Sequence, residues 1–162
     1  MSKFDKLIGN SQAKSILERL ITSPPQTLLF QGPAGLGKKE FARTFAKKLI
    51  NSNTKNPADL REFYPEGKAH FHSINKIREF IRETEILPFE AIYKVFLIHE
   101  ADRMLPPSMN ALLKILEEPP AHCIIILLTS HPEALLPTVV SRSFKVPFSL
   151  ITEEEIINYL KD

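Results

Sequence analysis

Seven consecutive residues carry the clearest chemistry in the sequence: Gly32-Pro33-Ala34-Gly35-Leu36-Gly37-Lys38. Glycines at this spacing let a backbone curl until successive N–H groups face one anion. A helix opening at the end of such a loop adds the positive end of its dipole. Lys38 can then reach the outer phosphates of a nucleotide. A strand pattern before the loop and a helix pattern after it favour a phosphate-binding P-loop over an ordinary glycine-rich turn. The next position breaks the pattern. A P-loop that works on a metal–nucleotide complex carries Ser or Thr there, because the hydroxyl ligates Mg²⁺. Here it is Lys39. An ammonium has three donors and no acceptor, so it cannot ligate a cation.

A second chemical segment is Val95-Phe96-Leu97-Ile98-His99-Glu100-Ala101-Asp102. A working P-loop enzyme ends a buried strand with an acid that holds Mg²⁺. His99 stands in that position. Imidazole is a poor ligand for this hard cation, which prefers oxygen. Glu100 holds the place of the carboxylate that orients an attacking water, and it reads as vestigial. Asp102 lies three residues past the metal position and reads as a helix cap.

Other reactive residue types carry less. Cys123 is the single cysteine, so an internal disulfide and a multi-cysteine zinc site are excluded. It reads as a small core hydrophobe. His70, His72, His122 and His131 lack zinc spacing and read as solvated or locally capped. Lys68, Lys76, Arg78 and Arg82 are scattered; they can touch a DNA backbone, but a solvated helix face is the simpler reading.

Elements must position these groups. Ala13, Ile16, Leu17, Leu20 and Ile21 form a helical stripe opened by Asn10-Ser11 and closed by Pro24-Pro25. Thr27 to Gln31 suits a buried parallel strand. Phe41, Phe45 and Leu49 mark the helix after the glycine loop, and 51–56 is a polar loop. Leu60 to Tyr64 is a weaker strand. Ser73 caps a helix carrying Ile74, Ile77 and Ile81. Tyr93 to Ile98 and Ile124 to Leu128 are strong buried strands. Between them Met109, Leu112, Leu113 and Leu116 form a helix flanked by Pro106-Pro107 and Pro119-Pro120. Ser143 to Val146 is a short last strand. Thr152 and Glu155 form a capping box before Ile156, Ile157 and Leu160. Strands alternating with helices predict an α/β fold: a parallel sheet flanked by helices in a three-layer sandwich.

Composition agrees with one globular domain. The 162 residues are 43% hydrophobic and 25% charged, with a net charge of +2. These values exclude a disordered or fibrous chain. No run of 18 apolar residues spans a membrane. The N-terminus turns charged at once, so a cytoplasmic location is the expectation. A near-neutral total neither requires nor excludes nucleic acid.

At this point the residues resemble a family. Gly32 to Lys38, Tyr64-Pro65-Glu66-Gly67-Lys68, Lys94 to Met104, Asn110-Ala111-Leu112-Leu113-Lys114-Ile115-Leu116-Glu117-Glu118-Pro119-Pro120 and Ser141-Arg142-Ser143 look like the AAA+ core of bacterial DNA polymerase III clamp loaders. The likeness runs from about Leu7 to the C-terminus and is greatest to the delta-prime branch. The resemblance implies a P-loop AAA+ module over residues 1–150, with 151–162 as the start of a truncated helical lid. Lid and collar domains would follow Asp162. It implies a subunit of a five-membered ring fragment that loads the sliding clamp onto primed DNA. Partners would be the ATPase (gamma/tau) and delta subunits, the clamp, and DNA through the complex. Delta-prime subunits commonly lack intact metal positions, which Lys39 and His99 match.

The same resemblance assigns roles. Arg142 would be an arginine finger acting in trans on a neighbour's ATP, although the usual Ser-Arg-Cys reads Ser141-Arg142-Ser143 here. The competing reading of Arg142 is a surface ion pair. Thr129 would be a polar sensor beside the γ-phosphate, or a satisfied strand end. Gly32, Pro33, Ala34, Gly35, Leu36, Gly37, Lys38, Lys39 and Thr129 would form a degenerate phosphate site binding ATP, ADP or phosphate weakly. No cofactor is required and no metal is expected. The family's four-cysteine zinc module has no counterpart in the short, cysteine-free stretch 51–59. An active clamp-loader ATPase is the alternative.

Overall fold

The computed structural model describes residues 3–161. After a 3₁₀ turn at Lys3–Lys6, the elements in chain order are α1 Ser11–Leu20, β1 Thr27–Gln31, α2 Lys38–Leu49, β2 Leu60–Phe63 and α3 Ile74–Thr84. They continue as β3 Lys94–Ile98, α4 Pro106–Glu117, β4 Cys123–Thr129, α5 Pro137–Ser141, β5 Phe144–Pro147 and α6 Glu153–Lys161, with a second 3₁₀ turn at Pro132–Ala134. All five strands are parallel, in the order β2-β3-β4-β1-β5. β4 therefore inserts between β1 and β3, with Leu28 opposite Ile126 and Ile98 opposite Leu127.

Alternate residues of each strand face opposite layers. Leu28, Phe30, Val95, Leu97, Ile124 and Ile126 pack with Ala13 and Leu17 of α1 and Phe41 and Phe45 of α2. Leu29, Phe96, Ile98, Ile125 and Leu127 pack with Ile77 and Phe80 of α3, Met109 and Leu112 of α4 and Val139 of α5. Helices on both faces explain why β3 and β4 are buried at every residue. The expected three-layer α/β sandwich is the observed fold.

Several ends differ from the sequence reading. Asn10 does not cap the first helix with its side chain. Asn10 is left-handed, at φ 54°, and its Oδ1 accepts from Ser149 N–H at 2.9 Å instead. Ser73 does cap α3, accepting from Lys76 N–H at 3.2 Å. The Thr152–Glu155 box forms in both directions. Helix α5 went unread because Pro137-Thr138-Val139-Val140 lacks helical periodicity at that length. Gly32 has no substitute. A Cβ there would lie 2.3 Å from the Phe148 carbonyl oxygen, with φ at +150°.

Candidate phosphate site and its altered metal side

The P-loop follows the C-terminal end of β1 and opens α2, the place where parallel α/β sheets form ligand clefts. The cleft holds about 450 Å³. Lys38 is buried against its own loop. Its Nζ donates to the carbonyls of Gly32 at 2.7 Å and Pro33 at 2.6 Å, and to Ser130 Oγ at 3.3 Å. Burial lowers its pKa, and the nearby Asp102 charge opposes that shift.

Lys39 turns to the other wall. Its Nζ lies 5.0 Å from the centroid of the Tyr64 ring, a cation–π distance. Tyr64 stacks on His99, with ring centroids 4.2 Å apart and planes 4° from parallel. His99 Nε2–H donates to Glu62 Oε1 at 3.0 Å. Arg43 grips the same carboxylate with two bonds, of 2.8 and 2.9 Å, and donates to the Tyr64 hydroxyl at 3.0 Å. These five side chains form one connected network: Lys39, Tyr64 and His99 line the cleft, and Glu62 and Arg43 brace them from behind.

The charges of that wall are fixed. Burial holds His99 below the usual imidazole range, against the pull of Glu62, so it is neutral at pH 7. Burial would raise the Glu62 carboxyl, but the bonds from Arg43 and His99 outweigh it and leave the pKa lowered. The Arg43 bond uses both Glu62 oxygens, and Lys39 and Arg43 bring positive charge to the same wall. A divalent cation that wants several oxygens does not fit this donor set.

Glu100 does not point freely into the cleft. Its carboxylate bonds His70 Nε2 at 2.7 Å, and both residues have left-handed backbones, at φ 46° and 53°. Thr129 is buried; its hydroxyl donates to Asp102 Oδ1 at 2.6 Å and accepts from His131 N–H at 2.9 Å. Ser130, the neighbouring strand-end hydroxyl, is the one that contacts Lys38.

Two expectations are corrected here. Asp102 caps no helix, since α4 starts at Pro106 after Leu105. It instead receives the Thr129 hydroxyl, so the β3 and β4 ends are tied together. His72 is neither solvated nor a local cap. It is fully buried, and its Nε2–H donates to the His99 carbonyl at 2.6 Å. Its backbone N–H bonds Arg103 O at 2.7 Å. His72 thereby fastens the 64–72 segment, and Tyr64 with it, to the end of β3. Cys123 behaves as read: it is buried, donates to Thr84 O at 3.3 Å, and burial pushes its thiol up to about 11.

Arg142 lies at the other end of the sheet. It caps the C-terminus of α5, and its NH2 group lies 3.5 Å from Glu117, with both side chains about half exposed. It shares a surface cavity with Gln26 and Thr27, at the start of β1. The length of β1 separates it from the phosphate loop, about 17 Å at the strand rise.

Sequence reasoning missed Arg43 and Glu62 and gave Tyr64 no role in the site. Arg43 lies five residues after Lys38 on α2, a weak signal. Nothing local pairs it with Glu62 on another element.

The family described as "DNA polymerase III, delta subunit" matches residues 9–152. DNA polymerase III subunit tau of Bacillus subtilis is 28% identical over 96% of this chain and 30% of its own length. DNA polymerase III subunit gamma/tau of Mycobacterium tuberculosis is 35% identical over 76% of this chain and 24% of its own. The chain thus spans about a quarter to a third of these curated relatives. The crystal structure of a DNA polymerase III gamma subunit-related protein from Thermotoga maritima superposes with a TM-score of 0.73 at 28% identity, covering 89% of this chain and 47% of that one. With a phosphate loop on a parallel sheet in the order 2-3-4-1-5, and a family match across nearly the whole chain, this protein belongs to the DNA polymerase III delta-subunit family of P-loop AAA+ domains.

Proposed function

We propose that this chain is a delta-prime-like module of a DNA polymerase III clamp loader. In this reading its own nucleotide site does not hydrolyse ATP, and Arg142 acts in trans on ATP held by a neighbouring subunit. One observation supports the first half: Lys39, Tyr64 and His99 line the cleft beside the phosphate loop, braced by the Glu62–Arg43 pair, and this set offers no free carboxylate for a metal. Without a metal, charge growing on a transferring phosphoryl group loses its main stabiliser. The intact glycine loop supports weak, metal-independent binding of phosphate, ATP or ADP. The position of Arg142, exposed and far from its own loop, supports the second half. Its planar fork suits phosphate oxygens. The remaining partners in this reading are the gamma/tau and delta subunits, the sliding clamp, and primed DNA through the complex, in the cytoplasm. Residues 151–162, including α6, would begin the lid.

A second reading is an active clamp-loader ATPase. The retained Lys38 and Glu100, and the gamma/tau names of the relatives, favour it. ATP turnover by the purified chain with and without Mg²⁺ separates the two. Background rates in both support the first reading; Mg²⁺-dependent turnover abolished by Lys38→Ala contradicts it.

A further inference from the structure

A second cavity backs onto the side chains that wall the phosphate cleft. It holds about 490 Å³ and lies between α2, the 55–57 loop and β2. Arg43 and Glu62 line it, while their bonding partners Tyr64 and His99 line the cleft on the other side. The two cavities share no lining residue.

Four cationic side chains surround this recess: Arg43, Lys47, Lys55 and Arg61. Two carboxylates answer them, Glu40 and Glu62. Glu62 is committed to Arg43 and His99, and Glu40 lies 3.6 Å from Arg43. Among the described residues Lys47 and Lys55 form no salt bridge. Arg61 gives one nitrogen to Glu83 at 2.7 Å and keeps the rest of its five-donor fork. The Thr44 hydroxyl and the Asn56 amide line the same recess and have no side-chain hydrogen bond among the described residues. Lys47 lies in the last turn of α2, where a cation complements the helix dipole. Lys55 and Arg61 lie on a loop and a strand, so the dipole does not account for the cluster. Like charges around one recess repel, and an anion between them removes that repulsion.

We propose that this recess binds the diphosphate group of a small phosphorylated ligand. The Lys47 and Lys55 ammonium groups and the Arg61 fork would meet its oxygens in charge-assisted bonds. Thr44 and Asn56 would add neutral donors. The volume falls within the range of small-ligand pockets and exceeds what a single carboxylate fills. No aromatic ring lines the recess, so it offers no face on which a base could stack. That favours a compact phosphate ligand over a nucleic-acid strand. Because the glycine loop contributes nothing to this recess, binding here does not require an occupied phosphate cleft.

Amide proton–nitrogen NMR spectra of the 162-residue chain, titrated with inorganic diphosphate in the presence of a chelator, test this. Saturable shifts are expected at Lys47, Lys55, Asn56 and Arg61, set apart from any at 32–39. The Lys47→Ala/Lys55→Ala double variant should weaken the first set by roughly tenfold or more, with circular dichroism unchanged. Lys38→Ala should leave that set in place, since Lys38 lines the phosphate cleft and not this recess. Acetate, with its single charge, should bind at least about tenfold more weakly than diphosphate. Shifts confined to 32–39, shifts at 44–61 that survive the double variant, or equal affinity for acetate would overturn the proposal. A single-stranded oligonucleotide that shifts these amides where diphosphate does not would overturn it too, and would assign the recess to nucleic acid.

Discussion

His99 lies flat against Tyr64, 4.2 Å between ring centroids and 4° from parallel, while its Nε2–H is held by Glu62. The stack and the bond together fix an imidazole at the end of β3, in the wall of the cleft. Removing the tyrosine ring should therefore cost stability as well as loosen the wall. Tyr64→Ala should destabilise the chain by about 1–3 kcal/mol, combining the aromatic pair with the lost Arg43 bond. Tyr64→Phe keeps the stack and should cost about 0.5–1.5 kcal/mol, the net worth of one hydrogen bond. Urea denaturation reads both as midpoint shifts at constant slope. Equal midpoints for Tyr64→Ala and wild type would remove the stack from the account.

Acid sensitivity should begin near neutrality. His72 and His99 both have pKa values lowered in the fold, in each case chiefly by burial. The Nδ1 atom of His72 is buried with no partner, so nothing waits to share a proton there. The unfolded chain binds protons that the folded chain refuses. Stability is therefore full above the ordinary imidazole value of about 6.5 and falls as pH drops toward the folded values. Melting temperatures from pH 7.5 to 5 should decline. His72→Gln, which retains a donor for the His99 carbonyl, should flatten that decline. A wild-type melting temperature that stays level over this range would contradict the burial argument.

Asp59 predicts a second, lower acid transition. Its buried carboxylate accepts the backbone N–H groups of Phe89, Glu90 and Ala91. Burial pushes its pKa up, but those bonds outweigh burial and leave it lowered. Its contribution is present above the ordinary carboxyl value of about 3.9 and is lost as pH falls below it. Asp59→Ala should cost about 2–3 kcal/mol, because three N–H groups lose a charged acceptor. Amide exchange at positions 89–91 should speed up in that variant. Unchanged exchange there would show that the loop is held by other contacts.

The sheet and its main helices were legible because Val95–Ile98 of β3 and Cys123–Leu128 of β4 are unbroken apolar runs and α2, α3 and α4 keep a 3.6-residue period. Lys39 and His99 stood out in the sequence by their residue types, and both line the cleft. The wall that joins them was not legible. Arg43 lies on α2, Glu62 and Tyr64 lie on and just after β2, and His99 lies just after β3, so only the tertiary fold brings them together. Asp102 and His72 were misread for the same reason. Their partners, Thr129 and the His99 carbonyl, lie 27 residues away in each case. Local capping rules do not reach that far.

Arg142 should matter to a neighbour and little to its own fold. Its contact with Glu117 is long and half exposed, a pair worth about 0–1 kcal/mol. Arg142→Ala should leave the melting temperature of this chain nearly unchanged. In a reconstituted loader it should slow hydrolysis at the adjacent subunit by roughly a thousandfold while sparing ATP binding there. Arg142→Lys should fail nearly as badly, because a point charge on a flexible stem lacks the fork. Wild-type rates with Arg142→Ala would reduce it to a surface ion-pair residue.

The wall of Lys39, Tyr64 and His99 should keep a divalent cation out of this cleft. Calorimetric titration of the chain with ATP, once with Mg²⁺ and once with a chelator, measures it directly. A filled wall predicts weak affinity that is the same in both conditions, and that falls when Lys38 is replaced by Ala. Affinity that rises tenfold or more with Mg²⁺, an increment of about 1.4 kcal/mol, would mean that the wall opens to admit the cation. That result would favour the active-ATPase reading.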